Sequence, residues 1–287
     1  MNIKRVAAIH DLSGVGKCSL TVALPVLCAM GAEVCALPTA VLSTHTGGIS
    51  GFTYRDLTDD LPRVVRHWAS LGLKFDAVYT GFASSAEQLK AMRDALPSLR
   101  STDTLMFIDP VMGDAGKLYK TYTPEMADAT RELCAVADVI TPNRTEAALL
   151  TRTDLTTGVR PEAEIRALCR KLSDLGPRRV ALTGVETSGG RVGAAAWDAG
   201  TEEFVIHSAP IVEGAWHGTG DLFASVTLGA LMLGRALPEA VGIATAFTHG
   251  CIARTKLNGT DPRFGVAFEC ALGELTALAA SAKNHSA

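Results

Sequence analysis

The chain has 287 residues, 47% of them hydrophobic and 20% charged, with a formal net charge of -3. That balance belongs to a globular chain able to bury a substantial core. No block of like charge exceeds a few residues, which argues against a nucleic-acid or anionic-membrane partner. The seven cysteines form no Cys-x-x-Cys pair, a pattern of buried free thiols in a reducing cytosol rather than of a metal site or a disulfide framework.

Taken from the N-terminus, Lys4 and Arg5 precede only a short apolar run, so no secretory signal and a cytoplasmic location are expected. A strand is predicted over 4–9. It opens onto Ala8-Ile9-His10-Asp11-Leu12-Ser13-Gly14-Val15-Gly16-Lys17-Cys18-Ser19-Leu20, which reads much like an ATP-binding P-loop. The template G-x-x-x-x-G-K-[ST] fails on inspection: with Gly16-Lys17 in place, its first glycine falls on Asp11 and its hydroxyl residue on Cys18. An acidic group would repel the anion that such a loop cradles. A helix is predicted over 16–30, with Lys17 a solvated residue on it, followed by a strand at 33–37. The weakly charged stretch 21–42 is broken by Pro25, Gly31, Glu33 and Pro38, so it reads as a buried helix turning into a strand rather than a membrane span.

Further strands are predicted at 76–80, 104–109, 137–141 and 179–183. Helical patterns at 57–71, 85–96, 124–136, 144–150 and 161–175 alternate with them. Nearly all-apolar strands separated by amphipathic helices indicate a parallel sheet covered on both faces. The runs 191–197 and 202–208 flank Asp198-Ala199-Gly200-Thr201 and suit an antiparallel hairpin. The remainder, 218–282, is predicted to be largely helical. With no linker or repeat, the expected fold is α/β: a single three-layer α/β/α domain over 1–287 with a mostly parallel central sheet.

Ligands of such sheets bind beyond the carboxyl ends of the strands. Polar residues gather at those points: Asp11 and Ser13, the loop 43–48, Thr80-Gly81, the loop 109–114, Thr141 to Glu146, and Thr183-Gly184. The strongest local signal is Trp216-His217-Gly218-Thr219-Gly220-Asp221-Leu222-Phe223-Ala224-Ser225. Backbone N–H groups of Gly218, Thr219 and Gly220 at a helix start form a ready anion site. Asp221 can take a proton from an attacking hydroxyl, although a helix-capping aspartate looks the same in sequence. Asp109 and Asp114 bracket a Pro-x-Met-Gly turn, and Asn143 with Glu146 forms an N-x-x-E pair. Such oxygen ligands suit Mg²⁺, which relies on phosphates and waters for the rest of its shell. Glu146 alone also reads as an ordinary helix-start carboxylate; beside a phosphate-type loop, the metal–nucleotide reading is the better one.

The ordered set D-L-S-G, S-T-H-T-G, D-P-V-M-G-D, T-P-N-x-x-E and G-T-G-D-L-F resembles the ribokinase-like superfamily. It is most similar to the vitamin-kinase branch, the pyridoxal/pyridoxamine kinases and the hydroxymethylpyrimidine kinases. The motifs run in order from residue 5 to about residue 255 and cover almost the whole chain. The resemblance implies ATP-dependent phosphorylation of the 5′-hydroxymethyl group of pyridoxal, pyridoxamine or pyridoxine. Hydroxymethylpyrimidine phosphorylation is the alternative, and a non-catalytic vitamin or nucleotide sensor a third reading. The intact aspartate of G-T-G-D resembles pyridoxal kinases, since many hydroxymethylpyrimidine kinases carry cysteine there.

By the same resemblance Asp221 is the catalytic base, and Gly218, Thr219 and Gly220 are the anion hole. Asp109, Asp114, Asn143 and Glu146 handle Mg²⁺ and the ATP phosphates, with Asp109 and Glu146 on the metal, and Thr183 contacts the nucleotide. Asp11, Ser13, His45 and Thr46 fall on the vitamin side, with Phe82 as a stacking face. A homodimer is implied, and room is left for a monovalent cation. Two positions depart from the pattern: many pyridoxal kinases have serine where Asp11 stands, and several have tyrosine at Phe82. The stretch 8–20 is therefore expected to floor the vitamin pocket rather than to hold ATP.

Overall fold

The computed structural model describes residues 3–284. The chain opens with strand β1 (Arg5–Ser13), helix α1 (Leu20–Ala29), β2 (Glu33–Leu42), β3 (Tyr54–Asp56), α2 (Leu61–Ser70), β4 (Ala77–Thr80), α3 (Ala86–Ala95) and β5 (Leu105–Ile108). A small hairpin follows, β6 (Gly113–Asp114) and β7 (Lys117–Leu118), then α4 (Pro124–Cys134), β8 (Val139–Ile140), α5 (Arg144–Thr151), α6 (Glu162–Ser173) and β9 (Arg179–Thr187). The chain ends with β10 (Arg191–Asp198), β11 (Glu203–Pro210), α7 (Thr219–Met232), α8 (Leu237–Leu257) and α9 (Leu272–Asn284).

Nine strands form one sheet in the order β11-β10-β9-β8-β5-β4-β1-β2-β3. The six from β9 to β2 pair in parallel, and antiparallel strands close both ends. Strand β1 explains itself: its Val6, Ala7, Ala8 and Ile9 are all fully buried, because helices cover both faces. One apolar layer joins the sheet to α2, α3, α4, α5 and α6. The other joins it to α1, α7, α8 and α9. The expected three-layer fold is present, and no described helix is long and apolar enough to cross a membrane.

Several expectations need correction. Helix α1 starts at Leu20, not near 16, because β1 runs on through Asp11 to Ser13 and Gly16 sits at φ +93, outside helical space. Lys17 is therefore not a helix residue; its Nζ pairs with Glu269 at 3.0 Å, and its amide donates to Phe264 O at 3.0 Å. The stretch 218–282 is largely helical, as expected, and divides into three helices, with 233–236 and 258–271 outside α-helix. All seven cysteines are free, but only Cys134, Cys169 and Cys251 are buried, and Cys28 and Cys270 are exposed.

Candidate active site

A cavity of about 650 Å³ opens at the carboxyl ends of the central strands. Asp109, Asp114, Asn143, Glu146, Thr183, Gly218, Thr219, Gly220 and Asp221 all line it. His217, Val212, Trp216, Phe223 and Ile252 also line the cavity and are not assigned a role from sequence. His217, Trp216 and Phe223 stand inside the quoted glycine motif and Val212 just ahead of it; only Ile252, from α8, is distant in the chain.

Helix α7 presents its N-terminus to this cavity. Gly218 is the N-cap, at φ +76, and a Cβ there would lie 1.9 Å from the backbone oxygen of Lys17. Only glycine fits. Leu222 N donates to Gly218 O at 3.0 Å, the first helical bond, so the preceding amides of Thr219 and Gly220 have no helical acceptor. The Thr219 hydroxyl is taken by Trp216 O at 3.1 Å, which leaves its amide as the free donor. The N-cap position belongs to Gly218, and Asp221 stands in the first turn, its carboxylate stabilised by its own amide. A first-turn aspartate is stabilised by the helix dipole whatever else it does.

Across the cavity, α5 begins with a capping box. Asn143 Oδ1 accepts from Glu146 N at 2.9 Å, and Glu146 Oε2 accepts from Asn143 N at 2.8 Å. Glu146 Oε1 accepts from Met112 N at 3.0 Å, so both its oxygens are already engaged by amides. Asn143 Nδ2 donates to Gly113 O at 2.8 Å and ties α5 to the β6–β7 hairpin that carries the exposed Asp114. Asp109, at the end of β5, is buried and accepts from the Thr141 hydroxyl at 2.9 Å. Thr183 lies within β9 rather than after it, and its amide bonds to Pro142 O at 2.9 Å.

The carboxylates repel one another. Burial first, then the Asp221 charge, raises Asp109 well above the usual carboxylate range. Burial and the Asp109 charge raise Glu146, against the pull of the Asn143, Met112 and Gly113 amides. Asp221 is pushed up to about 7 by burial and by Asp11, opposed by the Ser19 amide and its own.

This donor set fits Mg²⁺. Asp109 and Glu146 line the cavity with no ion-pair partner among the described residues, which hold no group of three His, Cys, Asp or Glu side chains able to bind an ion alone. Mg²⁺ takes one or two protein carboxylates and completes its shell with waters and phosphates. Asp109 is the direct candidate ligand. Glu146, the other expected ligand, is here a capping residue, its carboxylate held by the amides, and fits the role of a support to the hydrated ion.

Of the residues expected on the vitamin side, Asp11, Ser13, His45, Thr46 and Phe82, none is in the cavity's lining. Asp11 and Ser13 are buried; Asp11 Oδ2 accepts from Ser13 Oγ at 3.0 Å, and Oδ1 accepts from Ser19 Oγ. His45 is buried too, and both its ring nitrogens are engaged: Nδ1 accepts from Gly47 N at 3.0 Å, so Nε2 donates to Arg263 O at 2.5 Å. Its ring stands 5.3 Å from that of His217, which makes no hydrogen bond among the described residues. His45 thus orders the loops around His217. Thr46 is exposed at the surface, and Phe82 packs partly buried against the α2–α6 layer.

Ser19 was missed altogether. It is buried, at φ 50 and ψ -128. That conformation costs a non-glycine residue about 1–3 kcal/mol, and the hydrogen bond it donates to the Asp11 carboxylate contributes a similar about 1.5–3 kcal/mol.

A phosphomethylpyrimidine kinase model matches residues 24–263. The chain belongs to that family. Pyridoxal kinase PdxY of Granulibacter bethesdensis is 27% identical over 274 residues, covering 91% of this chain and 92% of that one. The hydroxymethylpyrimidine/phosphomethylpyrimidine kinase of Streptomyces coelicolor is 28% identical over 245 residues, 80% of this chain and 81% of the other. Among solved structures, a Bacteroides thetaiotaomicron protein assigned to the phosphomethylpyrimidine kinases and crystallised with pyridoxal superposes with a TM-score of 0.91 at 39% identity, covering 96% of each chain. Pyridoxal kinase from Lactobacillus plantarum gives a TM-score of 0.87 at 33% identity, over 96% of this chain and 98% of that one. The family's members thus act on two kinds of flat heteroaromatic alcohol, on one shared fold.

Proposed function

We propose that this chain transfers the terminal phosphoryl group of ATP to the 5′-hydroxymethyl group of pyridoxal, pyridoxamine or pyridoxine, with Mg²⁺. The observation that carries the reading is Asp221: a buried carboxylate in the first turn of α7, beside the Thr219 and Gly220 amides, lining one cavity with Asp109 and Glu146. Phosphoryl transfer asks little covalent chemistry of a protein; alignment, charge neutralisation and a base suffice.

Each part then has a task. Asp221 accepts the proton of the hydroxymethyl group as its oxygen attacks. The Thr219 and Gly220 amides, with the helix end behind them, hold the charge of the group in transit. Mg²⁺, when bound, neutralises phosphate charge; Asp109 would hold it, with Glu146 and Asn143 supporting its waters. The apolar end around Val212, Trp216 and Ile252 excludes water and suits the nucleotide base. Burial of Asp221 serves the same end, since a base poised near the working pH accepts a proton well.

The B6 vitamers are favoured over hydroxymethylpyrimidine by the pyridoxal-bound neighbour, the pyridoxal kinase relatives and the aspartate at 221. Steady-state kinetics with ATP decide: kcat/KM is expected to be higher for a B6 vitamer, and a higher value for hydroxymethylpyrimidine overturns the choice. No phosphorylated product from either acceptor would favour the sensor. The cytoplasmic location and homodimeric state expected from the sequence belong to the same proposal, and fractionation and sedimentation check them.

A further inference from the structure

A nucleotide brings several negative charges into a cavity already lined by Asp109, Asp114, Glu146, Glu186 and Asp221. Among the described residues no lysine or arginine lines it; the basic side chains there are His217 and His249. His249 stands on α8 one turn before Ile252, at the apolar end. His217 directly precedes Gly218, the N-cap that presents the Thr219 and Gly220 amides. Its backbone is pinned on both sides. The Thr219 hydroxyl donates to Trp216 O at 3.1 Å, Trp216 Nε1 donates to Val212 O at 3.0 Å, and Gly218 is packed on the Lys17 oxygen. The ring also has a seat. A Cβ on Gly47 would lie 2.7 Å from His217 Nδ1, so the ring settles there only because residue 47 has no side chain. The His45 ring stands 5.3 Å away, tilted by 42°, itself held between Gly47 N and Arg263 O. Nε2 is the less crowded nitrogen, since even a Cβ on Gly48 would stay 3.9 Å from it. Neither ring nitrogen has a hydrogen-bond partner among the described residues, and neither is a buried orphan; the half-buried side chain opens on the cavity. A rigidly seated donor without a protein partner is what electrostatic stabilisation of a developing charge requires.

We propose that His217 is a further catalytic residue: its Nε2–H donates a hydrogen bond to an oxygen of the phosphoryl group in transit, as a third donor beside the Thr219 and Gly220 amides. The ring donates in its neutral form, with Nδ1 turned to the Gly47 seat, so no proton moves. The inference rests on the phosphoryl-transfer reading of the site. It divides the work: Asp221 takes the acceptor's proton, and His217 meets charge on the group being transferred.

The test compares His217→Ala, His217→Phe, His217→Gln and Gly47→Ala, all checked for folding by thermal melting. Phenylalanine keeps a ring on the seat without the donor, and glutamine keeps a donor near the place of Nε2. His217→Ala and His217→Phe are each expected to lower kcat about 10²-fold, the scale of losing one donor of this kind. KM for ATP and for the acceptor is expected to stay within about threefold, because the contact is made in the transition state. His217→Gln recovers most of the loss. Gly47→Ala, at a residue outside the left-handed region, pushes the ring off its seat; it lowers kcat too, and lowers it no further in a His217→Ala background. A His217→Phe enzyme with full kcat beside an impaired His217→Ala overturns the inference in favour of packing against His45. A raised acceptor KM at unchanged kcat overturns it in favour of acceptor contact.

Calorimetric titration supplies a readout without turnover. With acceptor present, wild type is expected to bind Mg²⁺, ADP and aluminium fluoride, a mimic of the group in transit, more tightly than Mg²⁺ and ADP alone. His217→Phe is expected to lose about ten- to a hundred-fold of that gain, the worth of a hydrogen bond to a charged group, while binding Mg²⁺ and ADP as wild type does. A gain kept in full overturns the inference. The kinetics use whichever of pyridoxal and hydroxymethylpyrimidine the wild type phosphorylates faster. A wild type that phosphorylates neither defeats the proposed function, and the titration then decides on His217 by itself.

Discussion

Two glycines of the same motif are expected to respond to alanine in opposite ways. Gly218 lies at φ +76, and a Cβ there would come within 1.9 Å of the Lys17 oxygen and 3.1 Å of its carbon. The left-handed conformation costs an L residue about 1–2 kcal/mol, and forcing a methyl into packed backbone adds about 1–3 kcal/mol. For a chain of this size each kcal/mol moves Tm by about 2 °C, so Gly218→Ala should melt about 4–10 °C early. The overlap is with backbone, which cannot swing aside, so the end of α7 must move. A shift of about 1 Å in a group that aligns the reaction costs about 10²-fold in kcat. Gly220 has no atom within 4 Å of its built Cβ and no positive φ, and it lies inside the helix. Alanine is favoured over glycine there by up to about 1 kcal/mol, so Gly220→Ala should melt no earlier than wild type. Calorimetry of the unliganded proteins reads both. Equal Tm losses for the two variants, or a Gly218→Ala enzyme with undiminished kcat, would refute the packing argument.

The pH dependence follows from the buried carboxylates. Asp221 must be ionised to act, and its pKa of about 7 predicts that kcat falls as pH drops through that value; a profile flat down to pH about 5 would remove it as the base. The sign for stability is the reverse: folding raises this pKa, so its contribution is full below about 4, the unfolded value, and is lost as pH rises through about 7. The unliganded protein is therefore expected to melt earlier at pH 8 than at pH 5. Glu146→Gln keeps one acceptor but turns an NH2 group on the second amide, so Tm should fall by about 2–6 °C, and with the charge lost the Mg²⁺ concentration for half-maximal rate should rise several-fold; a change confined to the vitamin KM would place Glu146 wrongly. Lys17→Ala breaks a half-exposed pair with Glu269 worth at most about 1 kcal/mol, so ATP KM should stay within about twofold, whereas a P-loop enzyme would lose turnover.

The alternation of apolar strands with amphipathic helices made the sheet legible, because burial on both faces leaves a continuous apolar run at β1, β4 and β5. The departures have local causes. β1 extends past His10 since Asp11 and Ser13 satisfy one another with Ser19, a tertiary arrangement that polar letters in sequence mimic as a loop. β3 is exposed at all three positions and carries no apolar signal. Of the site, Asp109 was readable because it follows a strand, and Asn143, Glu146 and the segment 218–221 because they open helices. Asp11, Ser13 and His45 were also recognisable as special, but their partners were not. Whether a polar side chain faces a ligand or a neighbour's backbone depends on groups far away in the chain, such as Arg263 O for His45.

Charge explains what the cavity is built to receive. Asp109, Glu146 and Asp221 line it and Asp11 stands behind Asp221, while the nearby cations are turned elsewhere. Lys17 holds Glu269 at 3.0 Å; Arg144 donates to Gly158 O at 2.8 Å and lies 3.7 Å from Glu186. A chain selected for stability alone would pair such carboxylates, since burial first and then their mutual repulsion raise Asp109 and Glu146 and disfavour the ionised folded state. Ligands that carry positive charge into the cavity should therefore stabilise the protein, and ligands that carry only negative charge should not. Mg²⁺ with ADP at about 100 times its Kd contributes about 2.7 kcal/mol, or a rise in Tm of about 5 °C at this chain length. ADP with a chelator adds phosphate charge opposite the carboxylates and is expected to shift Tm by much less, and Mg²⁺ alone, which lacks phosphate ligands to complete its shell, likewise. The measurement needs no acceptor and no turnover. A Tm shift with chelated ADP equal to that with Mg²⁺ and ADP together would mean that the nucleotide binds away from the carboxylate wall.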